Sequence, residues 1–304
     1  MRILLIAGGW SNERDVSLSG SRSIRAALEN LGHEVLFWDP GTQFHELPAV
    51  ARQADFAFIN LHGCPGEDGL IQAMLGRLGC PYQGSGPRGS LLALNKAAAK
   101  ELFVHHKIPT PDWEFIPFLP PDAWSCHLDL PLFIKPNNGG SSLDISQIGS
   151  QEDLYMTLTS LLATGCEVLV EESIPGREIT CAVLGSEPLP PILIQPADTS
   201  GFFDYYSKYT PQAAQEICPA PISQELTATI QDLALRAHRC LGLADYSRAD
   251  FMVHDDTPYL LEVNTLPGMT ATSLFPQAAQ AVGLSFEQLI ARLIELGRDS
   301  SQGK

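Results

Sequence analysis

Residues 2–78 alternate short apolar runs with longer amphipathic stretches, and this limits the fold more than any other feature of the chain. RILLIA (2–7) reads as a buried strand, followed by Gly8–Gly9 as a tight turn. Leu18–Leu31 is spaced as a helix that ends at Gly32. His33–Trp38 and Ala54–Leu61 read as strands, and Gly69–Leu78 as a helix. Strands alternating with helices imply an α/β parallel sheet with helices on both faces. Ligands of such sheets sit beyond the carboxyl ends of the strands, here at Gly8–Ser17 and His62–Asp68. GxGxxG is absent, which excludes a dinucleotide fingerprint. In the first loop Glu13 stands beside the helix start, with Val16 and Ser17 next. Its carboxylate could hold a substrate ammonium group or simply favour the helix N-terminus through the dipole. His62 ends a strand, as a structural hydrogen-bonding residue or as part of a site.

Beyond the turn-rich PYQGSGPRGS (81–90), helical stretches over Leu91–His106 carry Lys96 and Lys100 four apart, with Lys100 read as solvated. PLFIK (131–135) reads as a strand ending in Lys135, and PNNGGSS (136–142) as a hairpin loop before a short strand at Leu143–Ser146. Beside a lysine, such a loop is a phosphate cradle or a flexible tip; the GxxxxGK[ST] pattern is absent. A helix at 152–164 precedes EVLVEESIPGRE (167–178), a strand running into a Pro-Gly turn, with further strands over 179–195. FFDYYSKYTPQAAQEICPAP (202–221) has no clear period and suits a lid or a packed surface loop. Glu225–Leu243, Ser273–Val282 and Phe286–Leu296 read as helices.

Residues 246–264 carry the sharpest chemical signal. Tyr246–Val253 and Tyr259–Asn264 read as strands joined by HDDTP, a β-hairpin. Side chains two apart share a face, so Arg248 lies with Asp250, and Glu262 with Asn264. A turn centred on Asp256 sets Asp250 opposite Glu262 and Arg248 opposite Asn264. Two facing carboxylates are unfavourable without a cation between them. Asp, Glu and Asn are hard oxygen donors that suit Mg²⁺ or Mn²⁺, commonly shared with nucleotide phosphates. The alternative is an exposed hairpin with solvated acids, and a one-residue slip defeats the metal reading.

Composition narrows the partners. The formal charge of −16 argues against nucleic acid and anionic membrane surfaces. A hydrophobic content of 44% and charged content of 18% fit a soluble globular chain, and 304 residues suffice for two or three domains. The seven cysteines are scattered without a CxxC pair, so they read as small buried apolar residues in a reducing cytoplasm. The opening apolar run is too short for a signal peptide core or a membrane span.

Taken in order, GGWSNERDVSL, LHGCPGEDG, PYQGSG, the Lys96 segment, IKPNNGGSS, GREIT, FFDYYSKYT, SRADFM and LEVNTLPGMTATSL make the chain resemble the D-alanine–D-alanine ligases of the ATP-grasp superfamily over nearly its whole length. The resemblance implies a three-domain ATP-grasp architecture with an N-terminal parallel-sheet domain: 1–87 for substrate, 88–175 as the central subdomain, and 176–304 with the metal site and lid. It implies joining of two D-alanines through an acyl phosphate, with ATP as co-substrate and two Mg²⁺ or Mn²⁺ on Asp250, Glu262 and Asn264, for peptidoglycan precursor synthesis. On the same grounds Lys96, Lys135 and Lys208 contact phosphates and Ser142 closes over them. Glu171, Ser173 and Ile174 border the adenine and Glu178 takes the ribose. Glu13 binds the first ammonium group; Val16, His62 and Lys208 belong to the substrate site. Arg248 and the Gly268 N–H stabilise the oxyanion, and Ser273 and Leu274 meet the second carboxylate. Glu13, Ser141 and Tyr209 form a hydrogen-bonded set. Tyr209 favours an amine acceptor over D-lactate; D-serine is a further alternative, as is a non-catalytic ATP-binding regulator. The family is commonly dimeric. Asn95 stands where Asp is common, and Leu70 and Ala73 replace the more usual Thr and Gly.

Overall fold

The computed structural model describes residues 1–121, 124–139, 145–196, 214–270 and 272–300. The first sheet is parallel, with order β2-β1-β3 from β1 (Arg2–Ala7), β2 (Glu34–Trp38) and β3 (Phe56–Asn60). Ile3 to Ala7 are all buried, as a strand covered on both faces requires. Helix α1 (Arg14–Asn30) starts at Arg14 rather than Leu18. Its first turn is polar because it faces a cleft, so apolar periodicity misses it. Short helices α2 (Pro40–Gln43) and α3 (Leu47–Ala51) lead into β3, and α4 (Leu70–Leu78) follows it.

Helices α5 (Pro87–Leu94) and α6 (Lys96–His105) precede an antiparallel sheet, ordered β4-β7-β5-β6. It contains β4 (Trp113–Ile116), β5 (Leu132–Pro136), β6 (Ser146–Ile148) and, after helix α7 (Gln151–Ala163), β7 (Val168–Glu172). The short strand expected at Leu143–Ser146 is thus displaced toward Ile148, which pairs with Leu132 and is buried beside it; residues 143–144 lie outside the described residues.

The third sheet, also antiparallel, runs β11-β10-β8-β12-β13 with β9 paired to β8. Its strands are β8 (Arg177–Leu184), β9 (Glu187–Pro188), β10 (Ile192–Pro196), β11 (Ala214–Ile217), β12 (Tyr246–His254) and β13 (Thr257–Asn264). Strand β11 falls inside the stretch that showed no period; AQEI is too short to carry one. Gly176 makes the β7–β8 turn possible: at φ +149°, a Cβ there would stand 2.1 Å from the Val253 carbonyl oxygen. Helix α8 (Gln224–Cys240) precedes β12, and α9 (Leu274–Ala281) and α10 (Phe286–Ser300) end the described chain.

Among the described residues, three apolar cores result. Phe275, Leu289, Ile290 and Leu293 of the last two helices bury against Ile3, Leu5, Phe56 and Phe58 of the first sheet. Phe103 of α6 and Ile230 and Leu233 of α8 pack with Phe251 and Leu260 of the third sheet. Ile116, Leu132, Leu154 and Val170 centre the second. Cys80 and Cys181 are buried as small apolar residues, but Cys64 is exposed, because its polar loop after β3 sends the thiol to Asp68 (2.7 Å).

Candidate active site

The hairpin reaches its expected pairing by an unexpected route. Asp255 and Asp256 both have positive φ (+46° and +58°) and form a two-residue turn that closes His254 onto Thr257. Continued regularly, that turn would set Asp250 opposite Leu261 and send Glu262 to the other face. A bulge intervenes. Phe251 pairs with Leu260 and Asp250 with Glu262, leaving Leu261 as the extra residue, and Arg248 pairs with Asn264.

Asp250 gathers donors on both oxygens. Arg248 Nε and Nη2 donate to Oδ1 and Oδ2 (2.8 and 2.7 Å), Thr180 Oγ1 to Oδ1 (2.6 Å), and Asn264 Nδ2 to Oδ2 (3.0 Å). Burial opposes the Arg248 charge, but Asp250, then Glu262 and Glu178, outweigh it and raise the guanidinium pKa. Glu262 Oε2 lies 3.4 Å from Lys96 Nζ. Among the described residues no three His, Cys, Asp or Glu side chains converge as a metal cluster. Two facing carboxylates and an amide oxygen nevertheless form a hard-oxygen donor set that fits Mg²⁺ or Mn²⁺. A carboxylate has about four lone-pair positions. A cation on Asp250 therefore exchanges with one of the four donors already there.

The hairpin forms one wall of a cleft of about 560 Å³. Of the residues singled out in the sequence, Glu13, Val16, His62, Glu178, Arg248, Asp250, Glu262, Asn264, Gly268, Ser273 and Leu274 all line it. They come from the loops beyond β1 and β3 and the first turn of α1, from β8, β12, β13 and the loop after it, and from the start of α9. Glu13 is buried and makes no side-chain capping bond to α1, so it serves the cleft rather than the helix end. Burial lowers the His62 pKa, opposed by Glu13 and reinforced by Arg248. The first loop is braced from behind. Asp39 accepts from Gly9 N, Gly41 N and Nη1 and Nη2 of Arg14, and Ser17 Oγ accepts from Gly8 N at 2.8 Å.

Buried lysines cluster beside the hairpin, behind the residues that line the cleft. Lys96 lines a small side cavity with Glu262, Asn264 and Gly139, and donates to the Gly139 carbonyl. Burial is the largest influence on it and lowers its pKa. Asn95 caps α6 through Ala98 N (2.9 Å), so the Asn variant keeps the capping oxygen. Asn137, near the start of the expected phosphate loop, accepts from Ala97 N (2.8 Å), tying that loop to α6. Lys135 Nζ donates to Glu171 Oε1 at 2.8 Å, and Lys100 Nζ stands 2.7 Å from Glu171 Oε2. Lys100 is 0% exposed, contrary to the solvated face expected from its spacing, because α6 turns it toward β7. The Glu171 carboxylate, expected to border a base, is buried between these two lysines. Ser173 accepts from Gln147 Nε2 (3.1 Å) and Ile174 is half-buried; neither lines the main cleft. Ser141, Ser142, Lys208 and Tyr209 lie outside the described residues.

Sequence reasoning gave no role to Glu67 and Glu216, which also line the cleft. Glu67 is buried and accepts from Gly63 N at 2.7 Å. Burial, with Glu13 and Glu262 adding, pushes its pKa up to about 8. Its only signal was its place in LHGCPGEDG, two residues beyond Pro65. Glu216 sits on β11, where no period could mark it.

A parallel first sheet joined to two antiparallel sheets, with hard oxygens lining one cleft and buried lysines beside it, defines the ATP-grasp class. A family model described as the D-alanine–D-alanine ligase C-terminus matches residues 119–295. The chain is 60% identical over 298 residues to a D-alanine–D-alanine ligase of Nitratidesulfovibrio vulgaris, covering 98% of each. It is 59% identical to that of Oleidesulfovibrio alaskensis, covering 98% of this chain and 96% of the relative. The structure of a Bacillus anthracis D-alanine–D-alanine ligase complexed with ATP superposes with a TM-score of 0.86 at 31% identity, covering 99% of both chains. The chain belongs to the D-alanine–D-alanine ligase family.

Proposed function

We infer that this chain joins two D-alanines into D-alanyl-D-alanine with ATP, giving ADP and phosphate, as a step in making peptidoglycan precursors. The observation that carries this reading is the single cleft uniting the hairpin face, the first-loop carboxylate and the start of α9, in a chain that matches ligases of this name end to end.

The arrangement supports an order of events. A carboxylate oxygen of the first D-alanine attacks the γ-phosphorus; the bond to the ADP oxygen breaks, leaving an acyl phosphate. The amine of the second D-alanine attacks the acyl carbon and gives up a proton. Phosphate then leaves with the C–O bonding pair. Phosphoryl transfer depends on positioning and charge neutralisation. Lys96 and Lys135, with Ser142 and Lys208, take the phosphates; Glu178 takes the ribose, with Glu171, Ser173 and Ile174 near the base. Glu13 holds the first ammonium group, next to Val16 and His62. Arg248 and the Gly268 N–H steady the oxyanion of the tetrahedral intermediate. Ser273 and Leu274 hold the second carboxylate at the α9 N-terminus, where backbone N–H groups are open to anions. Ser141 and Tyr209 orient substrate and lid with Glu13. Asp250, Glu262 and Asn264 would hold two Mg²⁺ or Mn²⁺, which supply neutralisation of the triphosphate charge. No helix among the described residues is long and apolar enough to cross a membrane. Family membership favours a cytoplasmic enzyme, with a homodimer as its expected assembly.

Purified protein is expected to release phosphate from ATP only when D-alanine is present. Chelation should abolish the release, and added Mg²⁺ or Mn²⁺ should restore it. Product mass with D-alanine, D-serine and D-lactate in competition should show the dipeptide. A lactate-ended product would overturn the amine acceptor, and no D-alanine-dependent phosphate would overturn the whole reading.

A further inference from the structure

Lys100 is a buried cation that the reaction above does not use. It is 0% exposed, and its Nζ reaches Thr110 Oγ1 (2.6 Å), the Pro111 carbonyl (3.3 Å) and Glu171 Oε2 (2.7 Å). Thr110 spends its own hydroxyl proton on the Leu260 carbonyl (2.7 Å), so its oxygen accepts from Lys100. One ammonium group thus ties α6 to β7 and, through Thr110, to the strand that bears Glu262. Glu171 Oε1 is meanwhile held by Lys135 at 2.8 Å.

Charge counting gives this arrangement a consequence. In direct contact, Lys100, Lys135 and Lys96 face Glu171 and Glu262, three cations against two carboxylates, with the exposed and screened Asp112 adding a weaker pull on Lys100, leaving one positive charge for a nucleotide. Remove Lys100 and the cluster is neutral, with Glu171 pairing Lys135 alone. In a buried site that pairing competes directly with phosphate, since screening there is weak. Burial depresses the Lys100 pKa to about 8, opposed by Glu171, which leaves the group mostly charged near neutral pH.

We propose that Lys100 is a positioning residue for nucleotide phosphate: by neutralising Glu171 it leaves the Lys135 charge available to the polyphosphate. The proposal rests on the nucleotide reading, and binding of ATP by the unaltered enzyme checks that reading separately. The distinguishing measurement is calorimetric titration of Lys100→Met with ATP and with AMP in Mg²⁺. Loss of phosphate attraction should grow with the number of phosphates, whereas a role in packing alone should weaken both nucleotides alike. We expect the Kd for ATP to rise at least tenfold and that for AMP to stay within threefold. Steady-state assays should show a raised KM for ATP with a smaller change in kcat. Lys100→Gln, polar but uncharged, should give the same ordering if the Met variant does not fold. Equal losses for ATP and AMP, or an unchanged ATP Kd, would overturn the proposal. So would failure of both variants to fold while Lys100→Arg folds, because Lys100 would then serve stability alone.

Discussion

Replacing Glu67 with glutamine isolates the cost of keeping a carboxyl group in the cleft wall. Burial, with the charges of Glu13 and Glu262, lifts its pKa from 4.5 to about 8, while Gly63 N and the Leu266 backbone favour the ionised form. The folded protein therefore prefers this group protonated. Below about pH 4.5 it is neutral in both folded and unfolded chains, and its stabilising contribution is fully present. Between there and about pH 8 the unfolded chain releases the proton and the folded chain keeps it, so stability falls by up to about 1.4 kcal/mol per pH unit. Above about pH 8 both forms are ionised and the loss levels off at several kcal/mol. Glutamine keeps the acceptor for Gly63 N and does not titrate. The variant should match the unaltered enzyme near pH 4 and exceed it progressively up to about pH 8. Urea denaturation of both proteins at several pH values measures this as a widening gap in midpoints at a common slope. A pH-independent gap, or one that narrows as pH rises, would refute a raised Glu67 pKa.

Two further substitutions probe other parts of the structure. Arg248→Met removes two donors from Asp250 and the oxyanion partner proposed above, and should reduce D-alanine-dependent phosphate release by about 10²–10³-fold, the usual scale for a lost oxyanion donor; activity within a few-fold of normal would remove Arg248 from the chemistry. Gly297→Ala brings a Cβ within 2.8 Å of Phe56 Cζ and the Tyr82 carbonyl and 2.7 Å of Gln83 Cα, where α10 meets the first sheet. Thermal unfolding should show a loss of about 1–3 kcal/mol from overpacking, with kcat little changed; an unchanged Tm would mean that this helix does not pack closely.

Much of the site was legible because its residues keep fixed offsets from local signals. Asp250 and Arg248 are two apart on an apolar-rich strand, and Glu13 and His62 follow strand ends. Lys100 was misread because helical spacing says which residues share a face but not what covers that face. Glu67 was passed over because a carboxyl in a loop looks solvated until the surrounding walls are known. The displaced β6 and the four-residue β11 are too short for periodicity to locate their ends.

The sequence by itself determined the alternating first sheet, the hairpin, the hard-oxygen donor types and the family, since each depends on residue identity and near neighbours along the chain. Only the tertiary structure decided the bulge at Leu261 that turns Glu262 toward Asp250, the burial of Glu171 between two lysines, and the return of the last two helices to the first sheet. Those outcomes depend on which distant surfaces exclude water from one another, and a local pattern carries no record of its remote partner.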